Sequence, residues 1–128
     1  MIDKFGKVMI CVKDPRAVAD FWIDEIGFTE IKVDTHETSI LSVELAPNST
    51  SDASIVLFDR SIVEKMSLEL NLGTPSILFS SYEISDMRNR LFKRGVNVGE
   101  VMKMGDSLTF NFSDIEGNYF AVQEIRRS

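Results

Sequence analysis

The chain has 128 residues, of which 44% are hydrophobic and 27% charged, a composition typical of a globular domain. Its 20 acidic and 14 basic side chains give a formal net charge of -6 at pH 7 without a basic stripe, which argues against binding to a nucleic-acid backbone. No apolar run approaches the roughly 20 residues that cross a bilayer, and no apolar leader follows Met1. The single cysteine, Cys11, suits a reducing compartment. We therefore expect one cytoplasmic domain over residues 1–128, with no membrane or nucleic-acid partner.

The first part of the chain predicts a strand, a helix and three more strands. The run Val8–Val12 is short and β-branched, as strands are. Asp14 and Pro15 suit the N-cap and the first position of a helix, and Gly27 suits its end. Apolar residues between them recur at helical spacing, so we predict a helix over Pro15–Ile26. The three strands that follow are predicted at Thr29–Val33, Ser39–Leu45 and Ser54–Phe58.

The second part repeats this order of elements after a connector. A helical turn is predicted around Ile62–Leu70, within a connector over residues 59–75. A helix over Asp86–Arg94 is predicted to be capped by Ser85 and to end at Gly95, with Met87, Leu91 and Phe92 on its apolar stripe. Strands are predicted at Ser76–Ser81, Val96–Met104, Ser107–Phe112 and Tyr119–Ile125, with a turn at Asp114–Asn118. The pattern therefore predicts two βαβββ modules, at residues 1–58 and 76–128, and an α+β class.

Motifs at both ends of the chain carry a resemblance to a known superfamily. The opening Val8–Asp14, with Phe21-Trp22 and Ile26-Gly27-Phe28, resembles the strand, Asp, helix and "LGF" opening of the glyoxalase/bleomycin-resistance/dioxygenase (vicinal oxygen chelate) superfamily. The tail Phe112–Asn118 resembles its "F-x-D-P-D-G-N" hairpin, with Ile115 in place of proline. The resemblance covers essentially the whole chain.

The resemblance implies eight strands in one curved mixed sheet, with both helices on the convex face and a ligand in the concave cup. Alternation along each strand then assigns one set of side chains to the helices and the other to the cup. The helix-side set, which includes Ile10, Leu57 and Phe79, is uniformly apolar, whereas the cup-side set mixes polar and apolar groups as ligand sites do. The predicted ligand-binding residues are Lys7, Met9, Val56, Phe58, Ser76, Leu78, Ala121 and Gln123.

Enzymes of this superfamily hold a divalent ion with His and Glu side chains at four inward strand positions. The resemblance places these positions at Lys7, Val56, Ser76 and Ala121 of this chain. A lysine is cationic, valine and alanine have no donor, and a serine hydroxyl is a weak ligand for such ions. We therefore expect no metal, no other cofactor and no catalytic residue at these positions.

Two other side chains are candidates for chemistry. His36 lies between two predicted strands, where it is either an exposed turn residue or a metal ligand or general base at the rim of the cup, helped by Asp34 or Glu37. Cys11 is either a small buried hydrophobe or a reactive thiol, depending on the face it occupies.

Three functions follow from this pattern. The first is a metal-free protein that binds an antibiotic or another amphipathic small molecule, with Lys7 available to pair with an anionic group of the ligand. The second is a metal-dependent lyase or dioxygenase whose ligands have moved, for instance to His36. The third is a regulatory or scaffolding protein without a ligand. The resemblance also implies a homodimer.

Overall fold

The computed structural model describes residues 1–66 and 69–126 of the chain. These fall into two compact units, Met1–Thr74 and Pro75–Ser128. Each unit contains one mixed four-stranded sheet, with a helix between its first and second strands. The predicted α+β class and the two βαβββ modules are therefore confirmed. The bounds predicted for the modules and their connector, and the joining of both sheets into one, stay predictions.

Among the described residues the first unit has four strands, two α-helices and one π-helical turn. Its strands are β1 (Val8–Val12), β2 (Thr29–His36), β3 (Ser39–Ala46) and β4 (Ile55–Asp59), and its helices are α1 (Pro15–Phe21) and α2 (Arg60–Met66). The strand order is β1-β4-β3-β2, with β1 parallel to β4 and the other neighbours antiparallel. A parallel edge strand joined to its sheet through a helix is what the βαβββ pattern predicts.

Helix α1, together with the π-helical turn that follows it, begins and ends where the sequence predicts. The Asp14 carboxylate accepts a hydrogen bond from the Ala17 amide at 3.1 Å, and Pro15 occupies the first turn. The helix continues as a π-helical turn over Trp22–Ile26 and ends at Gly27, whose φ of 91° is left-handed. Because this conformation is strained for residues with a Cβ atom, glycine stops the helix here.

The connector forms a helix earlier than predicted. Helix α2 begins at Arg60, directly after β4, because the Asp59 carboxylate accepts hydrogen bonds from the amides of Ser61 and Ile62 at 2.9 and 3.2 Å. The predicted turn around Ile62–Leu70 overlaps this helix and includes Ser67 and Leu68, which lie outside the described residues.

The second unit has four strands and one helix. Its strands are β5 (Leu78–Ser81), β6 (Met102–Met104), β7 (Ser107–Ser113) and β8 (Tyr119–Glu124), and its helix is α3 (Ile84–Lys93). The strand order is β5-β8-β7-β6, with β5 parallel to β8 and the other neighbours antiparallel. It repeats the order of the first sheet.

Three predictions for the second unit are wrong in detail. Ser85 does not cap α3, because the helix begins one residue before it and Glu83 is the N-cap residue, without a side-chain bond. Phe92 is 64% exposed and lies outside the apolar stripe, and the Arg88 guanidinium sits over its ring at 5.8 Å from the ring centre. The predicted strand Val96–Met104 shortens to β6, with one isolated bridge from Val98 to Phe112 before it.

The predicted turn before β8 is confirmed. The Asp114 carboxylate is buried and accepts hydrogen bonds from the amides of Glu116 and Asn118, each at 2.9 Å. Gly117 has a φ of 80°, which closes the turn. Asp and Gly provide this geometry without a proline, so Ile115 is tolerated.

Each unit has its own apolar core between helix and sheet. In the first unit α1 packs on β3 and β4, and in the second unit α3 packs on β7 and β8. The most deeply buried side chains of the first unit are Ile10, Val12, Val18, Trp22, Val43, Leu45 and Leu57. Those of the second unit are Ile84, Leu91, Phe110, Phe112, Phe120 and Val122.

Candidate ligand-binding faces

The first sheet has one face that α1 does not cover. Arg16 of α1 forms a 2.6 Å ion pair with Glu30, which is in register with Leu45, so the helix lies on the Leu45 side. Side chains alternate along a strand, and residues in register point the same way. The opposite face, here called open face 1, is formed by Lys7, Met9, Cys11, Lys32, Asp34, Ser42, Glu44, Ser54, Val56 and Phe58.

A polar cluster lies on open face 1. The Lys7 ammonium donates a 2.9 Å hydrogen bond to Glu44 Oε1, and the Ser54 hydroxyl donates a 2.8 Å bond to Oε2 of the same carboxylate. The side chain of Glu44 is 12% exposed and that of Lys7 is 52% exposed. The hydrogen bond from Lys7 lowers the pKa of the Glu44 carboxyl against the opposing effect of burial, and Ser54 adds to the lowering. The ion pair is therefore formed at neutral pH.

Apolar side chains lie beside this cluster. Val56 of β4 is in register with Met9 of β1 on one side and with Glu44 of β3 on the other. Phe58 is likewise in register with Cys11 and Ser42. Met9 is 40% exposed, whereas Val56 is buried at 7%. Open face 1 therefore places an accessible thioether next to a lysine and a carboxylate.

Residues 70–73 lie beside the edge strand β1. The Arg60 guanidinium donates hydrogen bonds to the carbonyls of Cys11 at 3.2 Å and Leu72 at 2.9 Å, which ties the two segments together. A cavity of about 90 Å³ remains there, lined by Met9, Cys11 and residues 70–73. Burial raises the pKa of the Cys11 thiol, with an opposing effect from Arg60, so the thiol stays protonated. A small buried hydrophobe is the better description of Cys11.

The second sheet also has a face that its helix leaves uncovered. Leu78 is in register with Ala121, and Gln123 is in register with Ser80, to which it donates a 3.1 Å hydrogen bond. Leu78 is 50% exposed, whereas Phe120 and Val122, on the other side of β8, are buried. This surface, here called open face 2, is formed by Leu78, Ser80, Met102, Met104, Thr109, Asn111, Ser113, Tyr119, Ala121 and Gln123.

The structure thus groups the predicted ligand-binding residues within each sheet. Open face 1 contains four of them, and open face 2 contains three; Ser76 is exposed two residues before β5. Glu44 was missed by the sequence analysis, although it lies between the core residues Val43 and Leu45 and alternation places it on the opposite face. The register between strands, which the sequence does not give, is what brings it to Lys7.

The four positions that the resemblance assigns to metal ligands do not fit a metal in this chain. The Lys7 ammonium is held against Glu44, and the side chain of Val56, in register with both Met9 and Glu44, has no donor atom. Ala121 and Ser76 add at most one hydroxyl. Among the described residues there is no group of three His, Cys, Asp or Glu side chains placed to hold an ion.

His36 lies at the end of β2, next to the two-residue turn of Glu37 and Thr38. It lines an open cleft of about 450 Å³ together with Glu37, Asp59, Lys65 and other residues of the hairpin and α2. The Asp59 carboxylate in this cleft already caps α2. The cleft is therefore a mixed-charge surface depression at the opposite end of β4 from the Lys7 and Glu44 pair.

No protein-family model and no curated protein matches the sequence. Solved structures match over nearly the whole chain. TnmS3, an antibiotic binding protein from Streptomyces sp. CB03234, is 21% identical over 97% of this chain and 98% of its own, with a TM-score of 0.77. A member of the glyoxalase/bleomycin resistance protein/dioxygenase superfamily from Sphaerobacter thermophilus is 20% identical over 97% and 98%, with a TM-score of 0.78.

A glyoxalase/bleomycin resistance protein from Streptomyces sp. CB03234 is 21% identical over 92% of this chain and 99% of its own, with a TM-score of 0.68. At these identities the similarity shows that the chain has the fold of this superfamily. No helix among the described residues is long and apolar enough to cross a membrane.

Proposed function

We propose that this chain is a small-molecule-binding protein of the glyoxalase/bleomycin-resistance/dioxygenase superfamily, and that it binds without a divalent ion. The observation that carries the proposal is the composition of the two open faces. Each presents exposed apolar side chains beside a few polar groups: Met9 is 40% exposed, Leu78 50% and Met102 66%. Ligand sites combine apolar area for affinity with a few polar groups for orientation.

The proposed binding residues are seven members of the two open faces together with Ser76, which lies two residues before β5. The apolar members bury ligand surface, which stabilises a complex by roughly 25 cal/mol per Å² of apolar area removed from water. The polar members orient the ligand. The apolar set is Met9, Val56, Phe58, Leu78 and Ala121, and the polar set is Lys7, Ser76 and Gln123.

An amphipathic ligand with an aromatic or aliphatic body suits this composition, and an antibiotic is one such class. The name of the structural neighbour TnmS3, an antibiotic binding protein, supports this choice. The four positions that correspond to metal ligands support binding over metal-dependent catalysis. Two of them are occupied by Lys7, which is a cation, and Val56, which has no donor atom for a metal ion.

The proposal is tested with N-phenyl-1-naphthylamine, an uncharged apolar dye whose fluorescence rises when it leaves water. We expect the purified protein to bind the dye, and Leu78→Ser to weaken binding several-fold because an exposed apolar contact is lost. Leu108→Ser is the matched control, since Leu108 is 38% exposed but lies on the other side of the second sheet. Mass spectrometry of the protein under non-denaturing conditions tests in parallel for a co-purifying small molecule.

Absence of dye binding together with absence of any co-purifying compound would contradict the proposal and favour a regulatory or scaffolding role. Equal loss in Leu78→Ser and Leu108→Ser would place the dye away from the open faces. Near-stoichiometric zinc, nickel or manganese, lost on His36→Ala, would favour the metal-dependent enzyme instead.

We also propose that the protein is a cytoplasmic homodimer. The reduced, buried state of its only cysteine is compatible with a reducing compartment. The dimer rests on the family resemblance alone. Sedimentation at tens of micromolar protein is expected to give a dimer, and a monomer throughout would contradict it.

A further inference from the structure

We propose that Lys7, held by the Glu44 carboxylate to which Ser54 also bonds, is the group that orients the ligand, and that the ligand presents an acceptor oxygen to it. The ligand class is then an apolar, ring-containing body with a phenolate, carboxylate, sulfonate or polarised carbonyl oxygen at one end. This inference rests on the proposed function and specifies the chemistry of the same site.

The donors of Lys7 are only partly used. An ammonium group has three N–H donors, and within the described residues Lys7 makes one hydrogen bond, to Glu44 Oε1 at 2.9 Å. Its side chain remains 52% exposed. Two donors are therefore left for an incoming oxygen, on a side chain whose position is already fixed by an ion pair.

The carboxylate of the cluster is the less available partner. Both Glu44 oxygens are engaged, one by Lys7 and the other by the Ser54 hydroxyl at 2.8 Å. Its side chain is only 12% exposed. A cationic ligand group would have to reach this shielded carboxylate against the charge of the adjacent Lys7 ammonium, whereas an acceptor oxygen adds to the bonds already present. The cluster therefore selects for acceptors over cations.

The neighbours of the cluster supply the apolar contact. Met9 lies two residues after Lys7 on the same side of β1, and Val56 is in register with both Met9 and Glu44. The other lysine of open face 1, Lys32, is paired with Asp34 at 3.5 Å on the far strand of the sheet. Lys7 is thus the cation that adjoins exposed apolar surface on open face 1.

The test compares two dyes that share a ring system. 1-Anilinonaphthalene-8-sulfonate carries a sulfonate that N-phenyl-1-naphthylamine lacks. We expect the native protein to bind the sulfonate dye more tightly, and Lys7→Met to weaken that dye roughly tenfold, as loss of a charge-assisted hydrogen bond does. Binding of the uncharged dye is expected to change by less than about twofold in the same variant.

Three further variants isolate the role of the ammonium. Lys7→Arg keeps the charge and is expected to restore most of the sulfonate-dye affinity. Glu44→Gln keeps an oxygen that can accept the bond from Lys7 but removes the competing negative charge, and it is expected to raise that affinity. Lys93→Met, in the last turn of α3, makes the same charge change elsewhere and is expected to leave it within about twofold.

The two proposals fail in different ways. If neither dye binds the native protein, the proposed function is wrong. If the uncharged dye binds but Lys7→Met, Lys7→Arg and Glu44→Gln leave the ratio of the two affinities unchanged, only the role of Lys7 is wrong. If Lys7→Met does not fold, as judged by circular dichroism, Glu44→Gln decides the matter: a rise in sulfonate-dye affinity with the uncharged dye unchanged supports the role of Lys7, and no rise contradicts it.

Discussion

The two sheets have the same plan but differ in the charge of their open faces. Val56 and Ala121 occupy equivalent places, each between the parallel edge strand and the third strand of its sheet. Beside Val56 lies Glu44, with its ion pair to Lys7, whereas beside Ala121 lies Asn111. The residues that form open face 2 carry only hydroxyl, amide, thioether, aromatic and aliphatic side chains.

The other sides of the two sheets do not differ in this way. Both are covered by a helix, and both bury apolar side chains such as Leu57 in the first unit and Val122 in the second. A helix packed on a sheet requires apolar partners, because an unpaired buried polar group is costly. The open faces are not packed against α1 or α3, so they need no apolar partners for these helices. The repeated fold therefore constrains the helix-covered side of each sheet and leaves the composition of the open side free to differ between the two units.

The largest expected effect tests the similarity of the two cores. Trp22 of the first unit and Leu91 of the second are 69 positions apart, like the N-cap residues Asp14 and Glu83, and both are fully buried. Trp22→Ala is expected to lower the free energy of unfolding by about 3–5 kcal/mol, and Leu91→Ala by about 2–5 kcal/mol. Urea unfolding followed by circular dichroism measures both. A loss below about 1 kcal/mol at either position would show that its unit lacks the core described here.

The next effect tests the charge difference between the open faces. Glu44→Gln is expected to lower the free energy of unfolding by about 1 kcal/mol at pH 7, because the bond from Lys7 loses its charge assistance and Lys7 is half exposed. The native pKa of Glu44 is lowered, chiefly by that bond. Its contribution is therefore present above the unfolded value of about 4.3 and is lost as the pH falls through the lowered folded value.

Urea unfolding of the native protein and Glu44→Gln over a series of pH values measures this. The difference between them is expected to be largest near neutral pH and to vanish in acid below the folded pKa. A difference that is the same at all pH values would mean that the loss arises from packing and not from the ion pair.

A smaller effect distinguishes the two helices. The Asp14 carboxylate bonds to the Ala17 amide, whereas Glu83, the equivalent N-cap of α3, makes no side-chain cap bond. Asp14→Ala is expected to cost about 1 kcal/mol of unfolding free energy, and Glu83→Ala less than about 0.5 kcal/mol. Thermal unfolding of the pair provides the measurement, and equal losses would contradict the difference in capping.

The smallest effect tests whether open face 2 tolerates a charge. Asn111 is exposed and makes no side-chain hydrogen bond within the described part of the chain. Asn111→Asp introduces at this position the charge that Glu44 carries in the first sheet. The free energy of unfolding is expected to change by less than about 0.5 kcal/mol, as measured in urea. A larger loss would show that this face is packed against something.

The sequence predicted the elements best where a local signal marked both ends. Asp14 and Pro15 mark the start of α1, Gly27 marks the end of the π-helical turn that continues it, and Asp114 and Gly117 mark the turn before β8. The prediction failed at α3, where Ser85 is a plausible N-cap residue. The helix begins at Ile84 instead, and the Ile84 side chain is fully buried. Local capping preference was overridden by burial of an apolar side chain.

The candidate site was predictable only strand by strand. Alternation indicates which residues of a strand share a side, and together with the fold that the resemblance implies it assigns Lys7, Met9 and Val56 to their faces. It does not indicate which residues of neighbouring strands are in register. Glu44 meets Lys7 although the two are separated by 37 positions, and Arg60 reaches the carbonyl of Cys11 across 49. Such contacts depend on the sheet order β1-β4-β3-β2, which the local pattern does not specify.

The central claim is that small molecules bind to the open faces of the sheets. Titration of the ¹⁵N-labelled protein with N-phenyl-1-naphthylamine, followed by amide chemical shifts, tests it most directly. We expect the largest changes at residues of the open faces, such as Met9, Val56, Leu78 and Ala121, with little change at Val18 of α1. Changes confined to the helices or to the cleft around His36 and Lys65, with the open faces unaffected, would contradict the account.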